Sequence, residues 1–286
     1  MEIKVIKTQK ALSPTQIQLA DYVINPYRGC EFGCLYCYSQ ENKNIKGADF
    51  FNSLCVKANI GEVLRKQLQY THPRRVLLGS TTECFQYQET KYGLSREVLS
   101  ILNEEKIPCT ILTKSHLIKN YINLIRRNPA NKIYFTLNFS SDHEVQIFEK
   151  SSSPLNARLA AIADILHNNI ALRVHIGPFI PYVCQLAKIA ELIPPAAGEI
   201  DVELYHNKMG SFEKIGLVIE KEFGKDIKEK FFSVYKNEEN YRDFAKTLKQ
   251  QIVTFQNEKP GKFFYIVPDF NKFYSASINY HENPLF

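Results

Sequence analysis

The chain has 286 residues, 44% of them hydrophobic and 23% charged, with a formal net charge of +6 and a pI near 8.8. That is the make-up of a soluble globular protein with a sizeable core, in one large domain or two small ones. It excludes a helical membrane span, since no apolar run approaches the roughly 18 residues needed, and its mildly basic balance permits a nucleic-acid or phosphate-bearing substrate without showing one.

Met1-Glu2-Ile3-Lys4 lacks the apolar core of a signal peptide. Seven cysteines, clustered rather than spread as a disulfide framework, suit a reducing compartment, and a cytoplasmic location is expected. Residues 1–20 are polar and mixed, with Ser13-Pro14 as a turn signal, and read as an N-terminal arm. Asp21-Tyr22-Val23-Ile24 is aromatic and β-branched, a first strand. It runs into Asn25-Pro26-Tyr27-Arg28-Gly29-Cys30-Glu31-Phe32-Gly33-Cys34-Leu35-Tyr36-Cys37-Tyr38, where three of the seven cysteines fall within eight residues as Cys-x3-Cys-x2-Cys. A polar stretch from Glu41 to Gly47 follows, and then a helical apolar pattern over Ile60 to Leu68.

From there the chain alternates. Val76-Leu77-Leu78-Gly79 reads as a buried strand, followed by a helix carrying Leu94, Val98, Ile101 and Leu102. Ile107 to Leu112 is the next strand, then a helix with Leu117, Tyr121, Leu124 and Ile125. Ile133 to Leu137 is a fourth strand, and its helix opens at Ser153-Pro154, an N-cap with proline at the first helical position. Ala171 to Ile176, Leu186 to Ile193 and Ile200 to Leu204 supply a fifth strand, a helix and a sixth strand. Short buried strands alternating with amphipathic helices predict βαβ units and a parallel sheet. The pattern alone accommodates either a doubly wound open sheet or a barrel. Beyond about residue 210 the rhythm changes: Phe212 to Lys230 and Tyr241 to Ile252 read as helices and Phe263 to Val267 as a strand. The expected organisation is therefore the arm (1–20), an α/β core (21–210) and a C-terminal α/β extension packed on it (211–286).

Three thiolates can hold a metal centre and leave one coordination position without a protein ligand, which separates a reactive site from a closed structural one. Gly29 and Gly33 flank the ligand positions, where a chain wrapping a small inorganic centre needs backbone freedom. A zinc knuckle wants a second Cys-x2-Cys pair or two close histidines, and the nearest later candidates, Cys55 and His72, stand alone. A ferredoxin-type cluster wants a fourth cysteine at short range. A non-catalytic zinc module or an iron–sulfur electron-transfer protein is the alternative to an enzyme.

The Cys-x3-Cys-x2-Cys spacing resembles that of the radical S-adenosylmethionine (radical SAM) superfamily, and Asn25-Pro26-Tyr27 with Tyr36-Cys37-Tyr38 narrows the resemblance to the branch related to spore photoproduct lyase. Further stretches are similar: Gly79 to Glu89, where Thr82, Gln86 and Glu89 match the branch pattern and Glu83 replaces its aspartate; Thr113-Lys114-Ser115; and Glu149 with Arg158. The resemblance implies a partial (β/α)6 TIM-type barrel. It also implies a [4Fe-4S] cluster held by Cys30, Cys34 and Cys37, S-adenosyl-L-methionine on the fourth iron, and an electron donor of flavodoxin or ferredoxin type. Reductive cleavage would give a 5′-deoxyadenosyl radical for hydrogen abstraction from a substrate that the residues leave unidentified: nucleic acid, small molecule or protein. No membrane partner is expected.

In parallel α/β barrels reactive groups collect at the carboxyl ends of the strands. By the resemblance, Lys114 meets the carboxylate of S-adenosylmethionine, Thr82 and Thr136 its amino-acid end, Glu83 its ammonium or ribose, and Tyr36 the adenine edge through its backbone. Arg173 faces the cofactor or substrate, or else sits in a buried salt bridge. The lyase's hydrogen-donating cysteine aligns with Thr81 here, and Cys84 is displaced from it by three residues. Cys84, Cys55, Cys109 and Cys184 are expected to pack as small hydrophobes, with hydrogen donation by Cys84 or Cys184 the other reading.

Overall fold

The computed structural model describes residues 1–41, 49–208, 211–258 and 261–271. The polar stretch after Glu41 and the C-terminal aromatics Phe273 and Tyr274 lie outside them. The chain divides into two compact units that interleave in sequence. The first holds residues 1–33, 39–135 and 151–172; the second holds 34–38, 136–150 and 173–286.

The first unit begins with strands β1 (Glu2–Ile6), β2 (Ser13–Pro14), β3 (Tyr22–Ile24), β4 (Tyr27–Arg28) and β5 (Ser53–Lys57). They are followed by β6 (Val76–Leu78), β7 (Cys109–Thr113) and β8 (Lys132–Thr136). Strands β3, β6, β7 and β8 pair in parallel, and β2 joins β3 antiparallel at the edge. The apolar run Val76-Leu77-Leu78 is fully buried, as a parallel strand covered on both faces must be. The helices Ile60–Leu68 and Leu94–Glu104 bury Leu64 and the Val98, Leu99 and Leu102 stripe. The residues expected as an arm contribute a strand: β1 runs parallel to β5, and β5 also pairs antiparallel with β4 in a small second sheet. Leu117 to Ile125, expected as one helix, is a 3-10 turn (His116–Tyr121) and a short α-helix (Ile122–Ile125).

The second unit is built on β9 (Ala171–Phe179), β10 (Glu199–Leu204) and β11 (Lys262–Ile266), which pair in parallel in the order β9-β10-β11. Its helix Asp142–Phe148 is fixed by a capping box, in which Ser141 and Glu144 satisfy each other's orphan backbone N–H groups. The helix expected over Phe212 to Lys230 is two, Phe212–Phe223 and Lys225–Val234. Gly224, at φ 95°, breaks it, a conformation glycine adopts without steric penalty. The two helices close over an aromatic core of Tyr205, Phe212, Phe231 and Tyr235, with ring centroids 5.3 to 6.3 Å apart. The architecture is thus mixed α/β with parallel strands. No helix among the described residues is long and apolar enough to cross a membrane.

Candidate active site

The cysteine loop leaves β3 and is anchored first by its glycine. Gly29 has φ 96°, and a Cβ there would collide with the Ser53 carbonyl oxygen on β5, so only glycine fits. Thr82 Oγ1 donates to the Gly29 carbonyl at 2.5 Å, and Gln86 Nε2 donates to Thr82 Oγ1 at 3.4 Å. Gln86 Oε1 in turn accepts the Glu31 amide at 2.9 Å, and Glu31 Oε2 accepts the Gln88 amide at 2.8 Å. Glu89 is 1% exposed and takes hydroxyl bonds from Tyr27 and from Tyr121 (2.9 Å), and amide bonds from Ser95 (3.0 Å) and Arg96 (3.1 Å). The matching Thr82, Gln86 and Glu89 therefore hold the cysteine loop against the segment after β6.

Glu83 is buried, and burial pushes its carboxyl above the usual carboxylate range. Both its oxygens are taken by the chain: Thr113 Oγ1 donates at 2.8 Å, and the Phe85 and Lys114 amides at 3.0 Å each. Glu83 thus sets the backbone of Lys114, whose half-buried side chain follows the end of β7. The thiol of Cys84 is buried and raised well above its usual range by that burial, and Cys109 is pushed up to about 12 by the same cause. Both pack as small apolar groups. Cys184, buried in the second unit, has its thiol raised too.

In the second unit the Cys37 amide donates to the Cys34 carbonyl at 3.1 Å, and the Leu35 amide to the Phe148 carbonyl at 2.8 Å. Tyr36 turns its side chain inward: its hydroxyl donates to Glu149 and accepts Asn138 Nδ2 at 2.9 Å. Asn138 Oδ1 accepts the Gly177 amide at 2.7 Å, so a polar chain runs from the cysteine loop to β9. Thr136 sits half-buried at the end of β8. Of the two arrangements open for Arg173, the structure has the ion pair: Nε and Nη2 each lie 2.8 Å from Glu199 Oε2, and the guanidinium covers the Phe264 ring at 3.8 Å. It stands near the amino end of β9, away from the carboxyl ends where reactive groups collect.

One polar group escaped the sequence reading. His175 Nδ1 lies 2.5 Å from Asp201 Oδ2, and its Nε2 lies 3.7 Å from Glu203 Oε2. Burial pushes Glu203 up to about 7, offset in part by His175 and reinforced by Asp201. The signal was present: Arg173, His175 and Gly177, and Glu199, Asp201 and Glu203, stand at alternating positions of their strands, where side chains share a face.

Cys30 and Cys34 are buried, at 9% and 8% exposed, and Cys37 is half-buried. Among the described residues no three His, Cys, Asp or Glu side chains are grouped closely enough to hold a metal ion. The donor set nonetheless fits an iron–sulfur centre in its chemistry: three cysteine sulfurs within eight residues, beside glycines at φ 96° and 59°, with the Gly29 carbonyl held by Thr82.

No family model matches the chain. An uncharacterised protein of Mycobacterium tuberculosis is 31% identical over 189 residues, 63% of this chain and 54% of the relative. The chain thus spans about half the length of the mycobacterial relatives it matches. A protein of Pseudomonas phage M6 named radical SAM Nalpha-GlyT isomerase is 24% identical over 158 residues, 54% of this chain and 32% of the relative. Among solved structures, a mutant of spore photoproduct lyase with bound AdoMet and dinucleoside spore photoproduct is 18% identical, with a TM-score of 0.56 over 78% of this chain and 66% of that one. The resemblance first seen in the cysteine loop therefore extends to the architecture: the chain shares the fold of spore photoproduct lyase, a radical SAM enzyme.

Proposed function

We propose that the chain is a radical SAM enzyme of the spore photoproduct lyase-like branch, working in a reducing compartment with its strands closed as a partial (β/α)6 barrel. The observation that carries this reading is the Cys-x3-Cys-x2-Cys loop, with a glycine bend that no other residue fits. The shared fold and the similarity to a protein named as radical SAM support it.

Cys30, Cys34 and Cys37 would hold three irons of a [4Fe-4S] cluster, leaving the fourth for S-adenosylmethionine. When bound, that pair supplies hydrogen-atom abstraction through one-electron reductive cleavage of the C5′–S bond. The chain's own residues position and shield. Thr82 and Gln86 fix the loop's Gly29 carbonyl and Glu31 amide. Glu83 fixes the Lys114 backbone, and the lysine's cation would hold the carboxylate of S-adenosylmethionine. Thr136 offers a hydroxyl at the end of β8. Tyr36, through Glu149 and Asn138, holds the segment between the second and third cysteines. Arg173, ion-paired to Glu199 near the amino end of β9, would steady the sheet rather than meet the cofactor or substrate.

The physiological reductant in this reading is a flavodoxin- or ferredoxin-like donor. The substrate is unassigned, with nucleic acid one candidate beside small molecules and proteins. The test is anaerobic reconstitution with iron, sulfide and dithionite, followed by assay for 5′-deoxyadenosine. It is expected to form in the wild type and to vanish in Cys34→Ala. A wild type that carries four irons yet forms none, or a colourless zinc protein, would overturn the reading.

A further inference from the structure

Glu199, Asp201 and Glu203 share a face of the β9–β10 ladder with Arg173 and His175, and Glu199 is taken by Arg173. The parallel register sets Asp201 opposite His175, and Glu203 lies two residues further along the same face. The ring of His175 is spanned, with Nδ1 on Asp201 Oδ2 and Nε2 towards Glu203 Oε2. A Cβ at Gly177 would collide with that ring, so the glycine is what lets the imidazole lie flat along the strand. Asp201 is 2% exposed, yet its second oxygen, Oδ1, is buried with no hydrogen-bond partner among the described residues. An orphan carboxylate oxygen carries the full desolvation penalty of the group, so such atoms in native proteins call for a donor. His175 cannot be that donor, because its Nδ1 already meets Oδ2. The side chains of His175 and Glu203 are 20% and 14% exposed, so the cluster opens on that flank.

The cluster is also tied to the cysteine loop within the same unit. Tyr36, between Cys34 and Cys37, is bonded to Asn138, and Asn138 to the Gly177 amide beneath the imidazole. The sulfur-bearing segment and this polar face are thus held to one backbone frame.

We propose that Asp201, His175 and Glu203 form a substrate subsite that takes a protonated amine, with the amine N–H donating to Asp201 Oδ1 and its charge facing the two carboxylates. A cation suits the site because, with Glu199 paired to Arg173, two carboxylates are left to one imidazole, and a buried carboxylate prefers a charged, hydrogen-bonding partner. Burial raises the Glu203 carboxyl, and a cation bound beside it would lower it again. Calling the occupant substrate rests on the radical SAM reading; the amine site itself does not.

The test uses the full-length chain with labelled histidine, reconstituted and cluster-free, at pH 8. The His175 ring resonances, assigned from a His175→Gln sample, are followed by NMR on titration with n-propylammonium. A saturable shift is expected. Tetramethylammonium, which has the charge but no N–H, is expected to give none. Asp201→Asn should weaken n-propylammonium at least tenfold, and Glu203→Gln at least threefold. Absence of a saturable shift in the wild type, an equal response to tetramethylammonium, or an unchanged affinity in Asp201→Asn would overturn the proposal. The wild-type comparison decides the matter even if Asp201→Asn does not fold. A positive titration in protein that makes no 5′-deoxyadenosine would keep the amine site and reject only the radical reading, and the converse result would do the reverse.

Discussion

The cysteine loop and the β9–β10 polar face make opposite demands on a reader of the sequence. In the loop, three sulfurs fall within eight residues, so local spacing alone carries the proposal of a metal centre. On the polar face, His175 and Asp201 are 26 residues apart and meet only because two parallel strands take one register. Short-range chemistry is written along the chain, whereas cross-strand chemistry needs the sheet first.

That contrast can be broken at either end. The largest effect is expected from the ligands: Cys30→Ser, Cys34→Ser or Cys37→Ser should each abolish 5′-deoxyadenosine formation and lower the iron content after anaerobic reconstitution. Retention of full activity in any one of them would remove that cysteine from the ligand set. Next comes the bend. Gly29→Ala forces a Cβ against the Ser53 carbonyl at a positive φ, a loss of about 2–5 kcal/mol from backbone strain and overpacking combined. Thermal unfolding should show the melting temperature falling, and a variant as stable as wild type would mean the loop bends differently.

Glu89→Gln should follow. It keeps the volume but removes the charge that accepts the Tyr27 and Tyr121 hydroxyls and two amides, a loss of about 2–3 kcal/mol measured by denaturant unfolding. On the polar face the effect is smaller and depends on pH. Glu203 titrates near 7 in the fold against about 4.5 when unfolded, so the native state binds the extra proton between those values. The contribution is complete below about pH 4.5, and stability declines as pH rises to about 7. Glu203→Gln should flatten that decline by up to about 3 kcal/mol. Identical pH profiles for variant and wild type would show that Glu203 is not buried as described.

Legibility followed the same divide elsewhere. Strands β3, β6, β7, β8, β9 and β10 were readable because each is an apolar or β-branched run between breaks, and their helices because the apolar stripe recurs at helical spacing. The small sheet of β1, β4 and β5 was not, since Glu2 pairs with Ser53 across about fifty residues and its strands carry no strong alternation. The helix Asp142–Phe148 was missed although its Ser141-x-x-Glu144 box stands in the sequence. Gly224 divides what reads in the sequence as one charged helical pattern. At the site, the identities of Thr82, Gln86 and Glu89 were legible, but their work was not. Only the fold shows that they grip the cysteine loop and that Glu83 spends its oxygens on Thr113, Phe85 and Lys114.

The central claim is an iron left open by a protein that supplies three sulfurs. The most direct measurement is the electron paramagnetic resonance spectrum of the dithionite-reduced, anaerobically reconstituted chain, with and without S-adenosylmethionine. A reduced [4Fe-4S] signal whose g-values shift when S-adenosylmethionine is added is the predicted result. A signal that does not respond would mean that the fourth position is closed, and would contradict the account.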